Sequence, residues 1–210
     1  MLLVYAVVPS AAHRDPGRLP PGLRLLDGGA VGVVYEELLG PPGTSAEDVA
    51  RFGQVVRRLA GDADVLPVRY GTMTESLEEL RRLLVARGEK WEERLRRVAG
   101  CVELVAHLPA SGLTPPADAG GSGTEYLMTR VRRGRQVASL VEEVSLAVAD
   151  VARAVRPLPD ADDVRIAFLV EEHRVDGLLP ALQGWVDRSG LTPVRVSGPW
   201  PPFSFAEEES

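Results

Sequence analysis

The chain has 210 residues, of which 45% are hydrophobic and 26% are charged, and its formal net charge at pH 7 is −6. This composition predicts a soluble globular protein with one large or two small domains, and the acidic balance argues against nucleic acid as its main partner. Its apolar runs fall short of the roughly 20 residues that a membrane span needs. The first residues lack the basic region of a secretory signal, and the single cysteine fits a reducing cytoplasm.

The first hundred residues predict an N-terminal α/β domain with an open, mixed sheet. Residues 2–8 are uniformly apolar, which is typical of a strand covered on both faces. Residues 23–26 and 30–38 flank a glycine-containing turn and predict a β-hairpin. A further short strand is predicted at residues 65–70.

Two amphipathic helices are predicted in the same half. Thr44 with Glu47, and Thr72 with Glu75, have the spacing of a capping box at the two helix starts. The second apolar stripe keeps its phase across Gly88, which leaves either one long helix or two arms bent at that glycine. The stripes are Val49, Phe52, Val56 and Leu59 in the first helix and Leu77, Leu80, Leu84, Trp91, Leu95 and Val98 in the second.

The second half changes its pattern and begins with a strand. Residues 102–108 and 164–170 alternate between apolar and polar positions, as half-buried strands do. Residues 126–155 predict a helix that exceeds the usual length, so we expect a break near Gly134. The next helix is marked by an apolar stripe of Val175, Leu178, Leu182 and Trp185.

A last strand is predicted at residues 191–197, where Pro193 indicates an edge or strand-start position. The order strand, long helix, strand, helix, strand is close to a ferredoxin-like sandwich with one hairpin strand absent or short. We therefore predict an α/β (α+β) fold with domains at residues 1–100 and 101–198. A proline-rich and aromatic tail at 199–210 would follow them.

The tail is the most unusual stretch of the chain. Three prolines in four positions fix φ and remove backbone donors, which predicts an extended segment close to polyproline II. Trp200, Phe203 and Phe205 are large rings in a chain that is only 5% aromatic. They need a groove, either as a clasp across the domain junction or as a peptide that docks on a partner. The clasp is favoured because exposed aromatic patches endanger solubility.

Arg69 and Tyr70 are candidates for the same kind of role. An arginine in an apolar strand is costly unless it is paired or lies at the sheet edge. Arg69 therefore either ties its strand to the domain junction or a partner, or reaches an internal carboxylate. Both alternatives stay open.

The other polar residues predict no catalytic, cofactor or metal site. The glycines of residues 120–123 precede a helix but lack the Lys-Ser/Thr of a phosphate-binding loop, so they indicate a connector. Cys101, Glu103 and His107 share one strand face, but no second Cys/His pair stands at ligand spacing. Glu103 and His107 are expected to lean towards the surface, and His173 to be a solvated loop histidine.

Several segments together carry a resemblance to a known family. They are the C-terminal stretch 197–205, the Val-Leu-Pro-Val-Arg-Tyr-Gly block at 65–71, the opening strand 2–8, and Glu-Tyr-Leu at 125–127. In this order they resemble the gas vesicle protein F/L (GvpF/GvpL) family over nearly the whole chain. The terminal motif and the mid-chain block are the specific part of the resemblance.

The resemblance implies a non-enzymatic accessory or minor structural protein of gas vesicles. Its expected partners are the small hydrophobic shell protein and other gas vesicle accessory proteins, and its expected location is the cytoplasm and the gas vesicle. It also implies two α/β domains, the second one ferredoxin-like, with the tail packed back on the body. The interaction or clasp candidates are Arg69, Tyr70, Trp200, Phe203 and Phe205.

Two mechanisms of another class remain as alternatives. A ferredoxin-like domain can serve as a regulatory module for a small molecule, and an apolar pocket with convergent polar groups would support that function. An enzyme would need a cleft that gathers a histidine and a perturbed carboxylate. For the assembly role, we expect an apolar surface or strand addition at a sheet edge such as the one containing Pro193.

Overall fold

A computed structural model of the chain describes residues 1–12, 19–108, 123–158, 164–189 and 195–206. The chain forms two compact units: Met1–Cys101 together with the chain from Trp200 onward, and Val102–Pro199. Each unit contains one antiparallel sheet and two of the described helices, which defines an α+β fold. None of the described helices has the length and apolar character required to span a membrane.

The first unit places two helices on a sheet of five strands. The sheet has the order β2-β3-β1-β4, and β5 also pairs with β1. Its elements are β1 Leu2–Pro9, β2 Leu23–Asp27, β3 Val31–Glu37, α1 Ala46–Asp62, β4 Leu66–Pro67, β5 Met73–Thr74 and α2 Leu77–Val98. The predicted strand covered on both faces and the predicted hairpin are both present.

The prediction of a mixed sheet in this unit is wrong. β1 pairs antiparallel with β3, β4 and β5, and β2 pairs antiparallel with β3. β3 and β4 run in the same direction, but β1 lies between them. The crossover through α1 therefore joins two parallel strands that are not neighbours, and no parallel ladder forms.

The two helices of the first unit cover different faces of β1. Phe52, Val56 and Leu59 of α1 share a core cluster with alternate residues of β1, Leu3 and Tyr5. α2 also contacts β1 but contributes no residue to that cluster, so it covers the other face. The described residues of β1 from Leu2 to Val8 are all buried, as an apolar strand between two layers must be.

Both helix starts lie later than predicted. Ser45, not Thr44, caps α1, and its side chain forms a capping box with Asp48. Ser76 caps α2 by accepting from the Glu79 amide. Thr72 instead donates its hydroxyl to the Arg69 carbonyl at 2.7 Å, within the turn that precedes β5. α2 is one continuous helix across Gly88, which is the first of the two predicted alternatives. In α1, Val49 is the one exposed residue of the predicted apolar stripe.

The second unit has the element order βαββαβ, and its sheet has the order β7-β8-β6-β9. Its elements are β6 Cys101–Leu108, α3 Gly123–Ala147, β7 Ala152–Leu158, β8 Val164–Glu171, α4 Val175–Ser189 and β9 Arg195–Trp200. One face of β6 packs on Val144 of α3, on Val148 just after that helix, and on the predicted stripe of α4. Pro193 lies outside the described residues, although β9 is at the sheet edge, where prolines are tolerated.

The long helix was predicted wrongly in two respects. α3 continues through Gly134 without a break and ends at Ala147, and the next seven-residue strand is the hairpin strand that was expected to be absent or short. Val144, Val148, Val151 and Val155 fit a helical stripe, but residues from Ala152 also alternate as a strand does. Pairing with β8 decides between these patterns, because Val155 stands opposite Phe168 in the ladder.

Candidate functional site

The tail after β9 belongs to the first unit, and its conformation differs from the predicted extended segment. Pro201 and Pro202 are buried, and residues Phe203–Phe205 form a short 3₁₀ turn. The carbonyl of Pro202 accepts from the Phe205 amide at 3.2 Å, and that of Phe203 accepts from the Ala206 amide at 3.4 Å. Prolines cannot donate, but their carbonyls can accept, so the turn closes on acceptors that they provide.

The tail contacts both helices of the first unit. The guanidinium carbon of Arg57, on α1, is 4.5 Å from the centre of the Trp200 ring, which is a cation–π contact. Phe203 packs against the core beneath α1, and the carbonyl of Ala206 accepts from Arg94 of α2 at 3.4 Å. Trp200 nevertheless remains 37% exposed. A clasp across the domain junction stays a prediction, whereas contact with both helices of the first unit is observed.

Tyr70 closes one end of an aromatic ladder in the first unit. Its ring meets Phe52 edge-on at 5.1 Å between centres, and Phe52 stacks on Tyr5 at 4.8 Å. The Tyr70 hydroxyl donates to the carbonyl of Gly43 at 2.6 Å, which fixes the loop that joins β3 to α1. Both the ring and the hydroxyl of Tyr70 therefore have partners within the first unit.

A pocket of about 260 Å³ opens beside this ladder. On its wall, Tyr5 donates to Glu36 at 2.7 Å, and Arg51 forms an ion pair with Glu36 at 3.1 Å. Burial, followed by the hydrogen bond to Glu36, raises the pKa of the Tyr5 hydroxyl well above its usual range. Tyr5 is therefore a neutral donor at physiological pH.

Arg69 does not lie inside an apolar strand as predicted. β4 ends at Pro67, and Arg69 is exposed in the following turn, where Gly71 has a φ of +84°. No ion pair joins Arg69 to a carboxylate in the part of the chain that the structure describes. Of the two alternatives for Arg69, the internal carboxylate partner is thus not found among those residues.

Arg69 lines a second and larger cavity of about 510 Å³ between α2 and the β4 segment, which we call the basic groove. Among the residues that the structure describes, its charged lining consists of Arg69, Arg87, Lys90 and Arg94 and includes no carboxylate. The apolar lining is Val7, Leu66, Pro67, Val68, Ala86, Trp91 and Ala206. This groove was not predicted from the sequence.

The spacing of three of these cations was a signal that could have been used. Arg87, Lys90 and Arg94 follow one another at three and four residues, so they share one face of α2. The fourth cation comes from the turn after β4, and the contact between α2 and β4 brings it to the same place. No pattern within α2 could have predicted that contribution.

The polar candidates of the second unit do not form a reaction centre. Glu103 is only 4% exposed, which corrects the prediction that it leans to the surface. His107 is half-buried, with Nε2 3.4 Å from the Ser197 hydroxyl oxygen. Among the residues that the structure describes, no group of three or more His, Cys, Asp or Glu side chains could hold a metal ion.

His173 is exposed beside a carboxylate that already forms ion pairs with two arginines. Its Nε2 lies 3.6 Å from Glu171, which also accepts from Arg153 at 2.7 Å and pairs with Arg174 at 3.3 Å. The hydrogen bond from Arg153 is the main cause that lowers the pKa of Glu171. A general acid needs the opposite shift, so this cluster has the electrostatics of a structural ion-pair network.

An exposed apolar segment lies at the start of α3. Leu127, Met128 and Val131 are 61%, 60% and 49% exposed, and no described side chain between residues 124 and 134 is buried. Among the described side chains of α3, Val137 is the first that packs against the core of its unit. Since this segment places apolar side chains in solvent without an observed cover, it is a candidate interaction surface.

The fold and these surfaces define a two-unit α+β protein with candidate interaction surfaces. The family model described as gas vesicle synthesis protein GvpL/GvpF matches residues 1–109 and 116–207. The chain belongs to this family, as the resemblance implied, and the family is one of gas vesicle proteins that are not known enzymes. Membership implies a role in gas vesicle formation.

Individual relatives agree with this assignment. The chain is similar to gas vesicle protein F of Streptomyces sp. (strain CB03234), with 26% identity across 97% of this chain and 98% of the relative. Its fold is similar to the crystal structure of GvpF from Anabaena sp. PCC7120, with a TM-score of 0.73 at 15% identity, covering 100% of this chain and 97% of that one. The crystal structure of GvpF from Microcystis aeruginosa gives a TM-score of 0.68 at 13% identity, with 99% of both chains covered.

Proposed function

We propose that this protein is a non-enzymatic accessory or minor structural component of gas vesicles that binds the hydrophobic shell protein during assembly. The observation that supports the proposal most strongly is the match to the gas vesicle family along nearly the whole chain. The protein would work in the cytoplasm and at the growing vesicle. Its function would be to keep an apolar subunit from aggregating until that subunit is incorporated.

The start of α3 is the surface that fits an apolar partner. Leu127, Met128 and Val131 lie within about one helical turn and form a compact apolar cluster. Arg130, Arg132 and Arg135 are exposed around the same turn and would keep the segment hydrated when no partner is bound. An apolar centre with a polar rim is the usual composition of a protein interface.

Strand addition at the edge of the second sheet is the less suitable mechanism. β9 is an edge strand, as the mechanism requires, but Pro199 within it has no amide to donate to an added strand. The residue on which the sequence argument relied, Pro193, lies outside the described residues. We therefore assign the contact with the shell protein to α3.

A pull-down of co-expressed shell protein tests both parts of the proposal. The unchanged chain should capture the shell protein, and the double variant Leu127→Ser/Val131→Ser should lose most of that capture. The matched control, Val85→Ser/Leu179→Ser, removes two side chains that are 88% and 57% exposed on other helices and should bind as the unchanged chain does. Failure of the unchanged chain to bind would refute the function, and equal binding by both variants would refute the α3 surface.

The order β7-β8-β6-β9 with the succession βαββαβ supports the finer assignment of the second unit as ferredoxin-like. The alternative function, a small-molecule regulatory module, requires a ligand pocket in that unit. Both pockets described above lie in the first unit, so neither of them supports this alternative. The shell-binding role is preferred because of the family match.

A further inference from the structure

We infer that the basic groove of the first unit is a docking site for an acidic segment of a partner protein, one that carries an aliphatic or aromatic side chain among its carboxylates. This inference goes beyond the proposed function, because it concerns a different unit from α3 and does not depend on the shell protein.

The charge of the groove is opposite to that of the protein. Arg69, Arg87, Lys90 and Arg94 are the charged side chains that the described part of the chain contributes to this cavity, and the net charge of the protein is −6. Arg69, Arg87 and Lys90 form no ion pair with any described residue. Like charges held together on a folded surface repel one another, so an anionic ligand would relieve repulsion as well as gain attraction.

The floor of the groove selects a protein segment over a simple anion. Trp91 and the side chains of Leu66, Pro67 and Val68 provide an apolar surface between the cations. Trp91 is half-buried, so one part of its ring packs in the fold and another can contact a ligand. A cavity of about 510 Å³ has room for a few side chains, and aromatic and arginine residues are the types that dominate binding energy at protein interfaces.

The sequence beyond the groove carries charges that would oppose such a ligand. Ala206 is part of the groove wall, and the next residues along the chain are Glu207, Glu208 and Glu209. These carboxylates follow a residue of the groove wall directly in the sequence, so they add negative charge that opposes an acidic ligand. Their removal should therefore strengthen binding.

The inference is tested by fluorescence anisotropy with synthetic, end-blocked peptides and the full-length protein. The probe is a fluorescein-labelled peptide of four Glu-Glu-Leu repeats, and the comparison peptides have four Glu-Glu-Ser or four Lys-Lys-Leu repeats. The leucine-containing acidic peptide should bind several-fold more tightly than its serine counterpart, and the lysine peptide should not bind. Equal binding of the lysine peptide would overturn the inference.

Substitutions in the groove identify where the peptide binds. The double variant Arg87→Glu/Lys90→Glu should weaken binding by about tenfold or more, since each lost or reversed exposed charge contributes up to several-fold. The matched control Arg58→Glu/Arg82→Glu makes the same change in charge at two exposed arginines outside the groove, and should change binding less than about twofold. Equal weakening by both variants would show a general charge effect and overturn the inference.

Two further measurements distinguish the proposed acidic segment from other ligands of the groove. A variant that ends at Ala206 keeps the groove and should bind the acidic peptide about two- to threefold more tightly at low salt; weaker binding would contradict the charge argument. ATP and inorganic tripolyphosphate are added as competitors. If they bind through Arg87 and Lys90 while the acidic peptide does not, the groove is a small-anion site and the inference is overturned. None of these outcomes depends on capture of the shell protein.

Discussion

Replacing Phe203 by alanine should loosen the tail and destabilise the first unit, because this ring joins the tail to the core beneath α1. A fully covered aromatic side chain buries about 150–250 Å². Phe203 is only partly buried, and about 100 Å² of lost burial at about 25 cal/mol per Å² corresponds to about 2.5 kcal/mol. We therefore expect the free energy of unfolding of the first unit to fall by about 2–3 kcal/mol.

Urea unfolding followed by hydrogen exchange and mass spectrometry measures this loss in each unit separately. Peptides from β1 and β4 should lose protection in Phe203→Ala, while peptides from β8 should keep theirs. Leu39→Ala is the matched control, since Leu39 is a fully exposed aliphatic side chain in the same unit. If Phe203→Ala changes β1 and β4 no more than Leu39→Ala does, the tail does not stabilise the first unit and the reasoning is refuted.

Three further predictions concern caps and ionisable groups. Ser45→Ala removes the cap of α1 and should lower stability by about 1 kcal/mol, seen as a lower Tm, whereas Ser45→Asp should largely restore it. Burial and Glu36 raise the pKa of Tyr5 above its unfolded value of 10.0, so its ionisation should leave stability unaffected below pH 10 and lower it above pH 10. The variant Tyr5→Phe should therefore make alkaline denaturation less steep, and an unchanged slope would contradict this. Arg153 lowers the pKa of Glu171 in the folded state below 4.5, so the stabilisation that Glu171 provides is present above pH 4.5 and is lost on acidification. The variant Glu171→Gln should therefore lose less stability at acidic pH than the unchanged chain, and an identical loss would contradict this prediction.

Some features of the candidate site could be predicted from the sequence, and others could not. The aromatic tail was singled out because rings on a proline-rich segment need a cover, and Phe203 does pack on a core. The extended conformation predicted for residues 197–205 is present in β9 up to Trp200 but not at Phe203–Phe205, because proline content determines which donors are absent and not how the remaining acceptors are used. Tyr70 stays a candidate for an interaction or a domain clasp, and the structure shows in addition that its hydroxyl and ring make contacts within the first unit.

The second unit shows why an apolar period can be ambiguous. Valines at intervals of three and four residues continue from α3 into β7, so the sequence alone extends the helix by several residues. A short segment can satisfy both a helical and a strand pattern, and only its partner decides between them. β8 is that partner, and its ladder with β7 places the strand where a helix was predicted.

The sequence by itself determined the features that depend on one segment at a time. These are the central strands β1 and β8, the buried stripes of the helices, the hairpin of β2 and β3, and the family, whose motifs lie along nearly the whole chain. The tertiary structure alone decided which segments meet: the antiparallel first sheet, the strand β7, the tail on both helices and the four cations of the basic groove. The physical reason is that periodicity tells which side chains of one element share a face, whereas the surface opposite that face is set by chain topology and packing.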